Sequence, residues 1–126
     1  MSNRHEPQPA LDELVRLIVL GDDLPARQLA AKVMAQPSHF SDILRPQFSG
    51  ALERALSCTL VEWFASQRGE SPPHWALEDA EVLSEPYFLF GDPKRFPRFY
   101  RRCVSKSPPP FKRRNLIASA DYMLMV

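Results

Sequence analysis

The chain has 126 residues, of which 44% are hydrophobic, and a formal net charge of +1. That is an ordinary globular composition and the size of one domain, burying about two-thirds of its unfolded surface. Thirteen prolines against four glycines argue against glycine-dependent turns and phosphate loops and for short helices started and stopped by proline. The small net charge hides an asymmetry: residues 1–93 hold 7 basic and 14 acidic residues, whereas residues 94–126 hold 9 basic residues and only Asp121.

Residues 1–9 are polar, contain two prolines and read as a flexible N-terminus without a secretory hydrophobic region. Helix 1 is expected over 10–20, with Leu11, Leu14, Val15 and Ile18 on one face and Asp12 and Glu13 in its first turn. Gly21 stops it. Asp22 or Asp23 then caps a second helix whose first turn holds Pro25. Ala26, Leu29, Ala30, Val33 and Met34 form its apolar face. A short helix is predicted over 39–44, with Phe40, Ile43 and Leu44 inward.

The longest helix is predicted over 47–67. Phe48, Ala51, Leu52, Ala55, Leu56, Thr59 and Trp63 recur at helical spacing, making this segment the expected spine of the core. Arg68-Gly69 ends it. A further short helix is expected from Trp75 to Leu83, followed by an irregular aromatic segment at 85–90 that covers the core. Helix 6 starts at Lys94 or Pro97 and runs to Ser105. Pro108-Pro109-Pro110 then favours a local polyproline conformation. Leu116-Ile117 reads as briefly extended, and a last short helix begins at Ser119 or Ala120 with Tyr122 and Leu124 on it. No stretch alternates long enough to argue for a sheet. The expected fold is one all-α domain over 1–126, five to seven short helices with the basic 94–126 segment packed on them.

Catalytic signatures are missing: there is no GxxxxGK[ST], GxGxxG, HExxH or GxSxG. His5, His39 and His74 lie more than 30 residues apart, and none has a second ligand at metal-binding spacing. A non-enzymatic protein without cofactor or metal is expected. Cys58 and Cys103 match no CxxC pattern; Cys58 reads as a core residue, and Cys103, among arginines, as the more reactive if either is. The longest aliphatic run, Leu17 to Leu20, is far short of the roughly 20 residues that cross a bilayer. A soluble cytoplasmic protein with no membrane partner follows.

The chemistry-bearing stretch is Lys94 to Arg114, with nine basic residues and no acidic one. Arg98, Arg101, Arg102, Lys112, Arg113 and Arg114 are the candidate contacts for a cognate protein partner or for phosphates, since guanidinium forks hold paired oxygens. Phe99, Tyr100 and Phe111 lie among them as candidate platforms for unpaired bases. Two readings follow: a protein that binds and regulates a cognate protein, and a nucleic-acid-binding protein or transcriptional regulator. A third, structural reading docks this basic segment on the acidic residues at 78–92.

Ser107-Pro108 followed by Phe111-Lys-Arg-Arg-Asn115-Leu-Ile-Ala-Ser-Ala-Asp-Tyr-Met-Leu124 resembles the tail of small, uncharacterised bacterial proteins encoded beside nucleotidyltransferase-like toxins. That resemblance implies the antitoxin of a toxin–antitoxin pair, and it brings no catalytic residue. The proline triplet and the Met-rich end depart from the pattern.

Overall fold

A computed structural model describes residues 8–78, 82–89 and 93–119. The flexible N-terminus expected at 1–9, the last helix expected beyond Ser119 and most of the acidic cluster at 78–92 lie largely or wholly outside them. The described residues form an all-α domain with one small pair of strands. In order these are α1 (Gln8–Leu20), α2 (Asp23–Ala35), a 3-10 turn (Phe40–Asp42), α3 (Ala51–Gln67), α4 (His74–Glu78), β1 (Tyr87–Phe88), α5 (Pro97–Lys106), α6 (Pro109–Arg113) and β2 (Leu116–Ile117). No described helix is long and apolar enough to cross a membrane.

α3 is the spine, as its apolar content predicts, but it is not amphipathic. From Ala55 to Ala65 every residue except Glu62 is buried, because α1, α4, α6 and the 3-10 turn all pack against it. A helix buried on all sides shows no stripe to read. Its start moves from the expected 47 to Ala51: Gly50 is extended (φ −84°, ψ 144°) and occupies the N-cap. Residues 43–50 therefore form a connection without helix, held where the Trp75 indole N–H donates to Ile43 O at 2.8 Å.

α1 and α2 form a hairpin against α3. Leu11, Leu14, Val15 and Ile18 are buried from α1, and Ala26, Ala30 and Val33 from α2. α1 begins at Gln8, so Asp12 and Glu13 fall in its second turn rather than its first. Gly21 (φ 81°) closes the helix, with Asp22 N–H donating to Leu17 O and Gly21 N–H to Ile18 O. Gly69 (φ 69°) repeats the motif at the end of α3, with Glu70 N–H on Ala65 O at 2.8 Å. Both are left-handed caps that a side chain would strain.

The expected helix at 39–44 is only the 3-10 turn; Phe40 and Ile43 are buried, but Leu44 is exposed. Arg68 holds this turn. Its guanidinium donates to Gln36 O at 2.6 Å, Met34 O at 3.2 Å and Ser38 O at 3.3 Å. It also lies 4.9 Å over the Phe40 ring and 2.6 Å from Glu70. Glu70 in turn accepts the Phe40 N–H at 2.9 Å.

Two further corrections concern the C-terminal third. The aromatic segment is not wholly irregular: Tyr87 and Phe88 pair in parallel with Leu116 and Ile117. Strands of two residues cannot show alternation in a sequence. The proline triplet does not stay in polyproline form either. Pro108 is extended (φ −60°, ψ 151°), and Pro109 and Pro110 begin α6, where their missing N–H groups cost nothing.

Accepting the Phe40 N–H, and then the nearby Arg68, holds the Glu70 carboxyl below its ordinary value of 4.5. Its contribution to stability is complete above the unfolded value and is lost as pH falls through the lower, folded value. Glu70→Gln is expected to lower the melting temperature at pH 7 and to flatten its decline between about pH 5 and 3. Thermal melts across that range check this; an unaltered slope would refute the linkage.

Candidate interaction surface

The basic stretch divides once its side chains are placed. α6 and the residue after it use their cations internally. The Lys112 ammonium donates to Ser105 O, at the end of α5, at 2.9 Å. Arg113 pairs with both Glu62 oxygens at 2.5 and 2.6 Å while its side chain stays half exposed.

Arg114 is buried, with 4% of its surface exposed. It cannot reach a phosphate or a partner, which corrects its assignment as a contact residue. Its guanidinium donates to Ala76 O at 2.8 Å, Pro110 O at 3.1 Å and Thr59 Oγ1 at 3.4 Å, and lies 3.0 Å from Glu62. One side chain thus ties α3, α4 and α6 together. The acidic partner of this segment is Glu62 of α3; among the described members of the 78–92 cluster, Glu85 is exposed and makes no ion pair with it. Asn115 follows with φ 66°, and its amide donates to Leu83 O at 3.0 Å. A guanidinium cage of this kind has no sequence signature, because its acceptors are backbone carbonyls 4 and 38 residues away.

The candidate stacking residues are also mostly occupied. Phe111 is 1% exposed and meets the Trp63 ring edge-on at 6.1 Å, so it is a core residue and not a base platform. Phe99 and Tyr100 are half-buried against Phe88, with ring centroids 6.0 and 5.1 Å from it. With Cys103 and Ile117 they make a second, smaller core that seats α5 on the strand pair. Ser107 locks this seat: its hydroxyl donates to Cys103 O at 2.6 Å and accepts the Ala118 N–H at 3.0 Å. Burial pushes the Cys103 thiol above its usual value, and Arg102 offsets this only in part. Burial thus disfavours the alternative of a reactive thiol there, since the thiolate is the nucleophile.

What remains outward on α5 is Arg98, Arg101, Arg102, Val104, Ser105 and Lys106, all exposed. At about 100° per residue, Arg98, Arg101, Arg102 and Ser105 fall within an arc of about 100°, directly opposite buried Cys103. Among the described residues, no carboxylate pairs with Arg98, Arg101, Arg102 or Lys106. Arg102 rests 5.9 Å over the Phe99 ring. Phe96, 49% exposed and 5.7 Å below Arg95, borders the face at its N-terminal end. Among the described residues there is no group of three or more His, Cys, Asp or Glu side chains that could hold a metal. Comparison with family models, curated proteins and solved structures finds no match for this chain.

Arg114→Met should cost about 1–3 kcal/mol, because it leaves the Ala76 and Pro110 carbonyls without this donor, while Glu62 keeps its pair with Arg113. Phe111→Ala should cost about 3–5 kcal/mol through cavity formation. Arg101→Ala should stay within about 0.5 kcal/mol of the parent protein. Denaturant unfolding of the three variants checks this ordering. The Cys103 thiol should react with a disulfide reagent only as fast as the fold opens, which a comparison of native and denatured protein measures.

Proposed function

We propose that this is a non-enzymatic interaction protein that binds an acidic partner protein through the outward face of α5. The observation that carries the reading is the contrast within one stretch: Lys112, Arg113 and Arg114 have internal partners, while Arg98, Arg101 and Arg102 share an exposed face without a described carboxylate. Four cations on one side of a ten-residue helix repel one another. An anionic surface relieves that cost. Exposed Val104 and Phe96 beside the arginines add the apolar area that a protein interface uses along with arginine.

A protein partner is favoured over single-stranded nucleic acid because Phe111 is buried and Phe99 and Tyr100 are packed against Phe88, so that none of these three rings is fully open to bases. The resemblance of the tail to proteins encoded beside nucleotidyltransferase-like toxins supports a narrower form of the reading. In it the protein is the cytoplasmic antitoxin of such a pair. The excess of exposed cations favours a second reading, a regulator that touches nucleic-acid phosphates with the same face.

Arg98→Glu, Arg101→Glu and Arg102→Glu together are expected to abolish capture of the partner from the native host while the helical spectrum and melting temperature hold. A tagged pull-down at low salt and at roughly 0.5 M salt, assayed for protein and for nucleic acid, separates the readings. One stoichiometric protein at both salts supports the first. Nucleic acid recovered only at low salt supports the second, because phosphate contacts are lost as counterions compete.

A further inference from the structure

We infer that the α5 face takes the α1–α2 turn of a second copy of this chain, so that copies associate head to tail. This rests on reading that face as a surface for an acidic protein, and it names one such protein. The chain is charge-segregated: residues 1–93 carry 7 basic and 14 acidic residues, whereas residues 94–126 carry 9 basic residues and Asp121. The fold does not cancel this internally. Glu62 answers Arg113 and Arg114. Among the described residues, however, no carboxylate pairs with Arg98, Arg101, Arg102 or Lys106, and no cation pairs with Asp22. The turn and the face are seated on different elements, α1 and α2 on each other and α1 on α3, α5 on β2, and both stay exposed. Two copies meet a need that one chain leaves unmet.

The turn presents Asp22 on a fixed backbone. The Asp22 N–H donates to Leu17 O and its carbonyl accepts the Ala26 N–H, both at 3.0 Å. Gly21 before it is left-handed. Asp22 stands at the N-cap of α2, yet its carboxylate makes no capping hydrogen bond, the use an aspartate commonly has there. That carboxylate lies between Leu20, 73% exposed and the most open large apolar side chain among the described residues, and Leu24, 56% exposed. The α5 face complements this in kind. Arg101 and Val104 are both exposed and three residues apart, so they are neighbours on the helix surface. A carboxylate flanked by leucines fits a guanidinium beside a valine, and a turn already fixed by its own backbone bonds loses little freedom on docking. The contact joins two unlike patches. Each pair of copies therefore leaves one turn and one face open, and association continues along a line. A contact between one turn and one helix face belongs to the weak class, under about 1,200 Å². The face is then covered in concentrated protein and opened by dilution.

Sedimentation equilibrium of the full chain tests this. At low salt the average mass should at least double between about 10 μM and about 1 mM, the range in which a contact with a Kd of about 0.1–1 mM forms. It should return to that of the monomer in roughly 0.5 M salt, which screens exposed charges. Two neutralised variants then separate the patches: Leu20→Asn with Asp22→Asn removes the turn, and Arg101→Gln with Arg102→Gln removes the face. Each alone should stay monomeric at the highest concentration. Mixed, they should form a one-to-one dimer and nothing larger, because only the face of the first and the turn of the second remain complementary. A parent chain that stays monomeric, a variant that still associates alone, or a mixture that stays monomeric would overturn the inference. Circular dichroism checks that each variant keeps its helices; if a double variant loses them, Asp22→Asn alone and Arg101→Gln alone repeat the experiment. Partner capture from the native host keeps the two readings apart. If the inference fails while Arg101→Gln with Arg102→Gln still weakens capture, the partner surface stands without self-association. If that variant stops self-associating but captures the partner as the parent does, the partner reading fails alone.

Discussion

The C-terminal third of this protein depends on a buried guanidinium. Arg114 sits beneath the surface with carbonyls of Ala76 and Pro110, the hydroxyl of Thr59 and the carboxylate of Glu62 around it. Burying a cation is expensive unless its charge and its donors are all met. Here the demand is met by groups from three helices, so the arrangement exists only when α3, α4 and α6 are in place together. Docking α6 brings Phe111 against Trp63. It also sets the start of β2, whose pairing with β1 builds the platform for α5. The helix that carries the exposed arginines is seated because a different arginine is hidden.

Arginine therefore has three structural uses in one small chain. Arg68 clasps the carbonyls that follow α2, Arg114 fastens the C-terminal segment, and Arg113 neutralises the outer side of Glu62. Arg68 and Arg114 depend on the several donors of the fork, which a lysine could not reproduce at the same sites, whereas Arg113 meets both Glu62 oxygens through one nitrogen. The remaining arginines on α5 are the exception, since their charges are left to water or to a partner.

The segment from Ser107 to Asn115 is largely taken into the fold. Ser107 joins the ends of α5 and β2, Phe111 fills the core, Arg114 is the buried fastener, and Asn115 adopts a left-handed turn and bonds Leu83 O. The pattern from Ser107 to Asn115 thus describes how the segment docks. The candidate partner surface lies just before it, on α5.

Much of the fold was legible in the residues. Apolar spacing at Leu11, Leu14, Val15 and Ile18, the stops at Gly21 and Gly69, and the long apolar run through Trp63 specify an all-α domain built on a central helix. Periodicity and backbone preference act locally, so a local reading captures them. The exposure of Arg98, Arg101 and Arg102 was legible for the same reason, since they lie opposite Cys103 at helical spacing. Other features were decided only by tertiary structure. The fates of Arg113 and Arg114, adjacent and chemically identical, diverge because one points past Glu62 to solvent and the other into a cage of distant carbonyls. Phe111 is buried although it stands between proline and three cations, because Trp63 waits beneath it. Sequence spacing determines which side chains share a face of one helix; which face is covered depends on contacts made by residues remote in the chain.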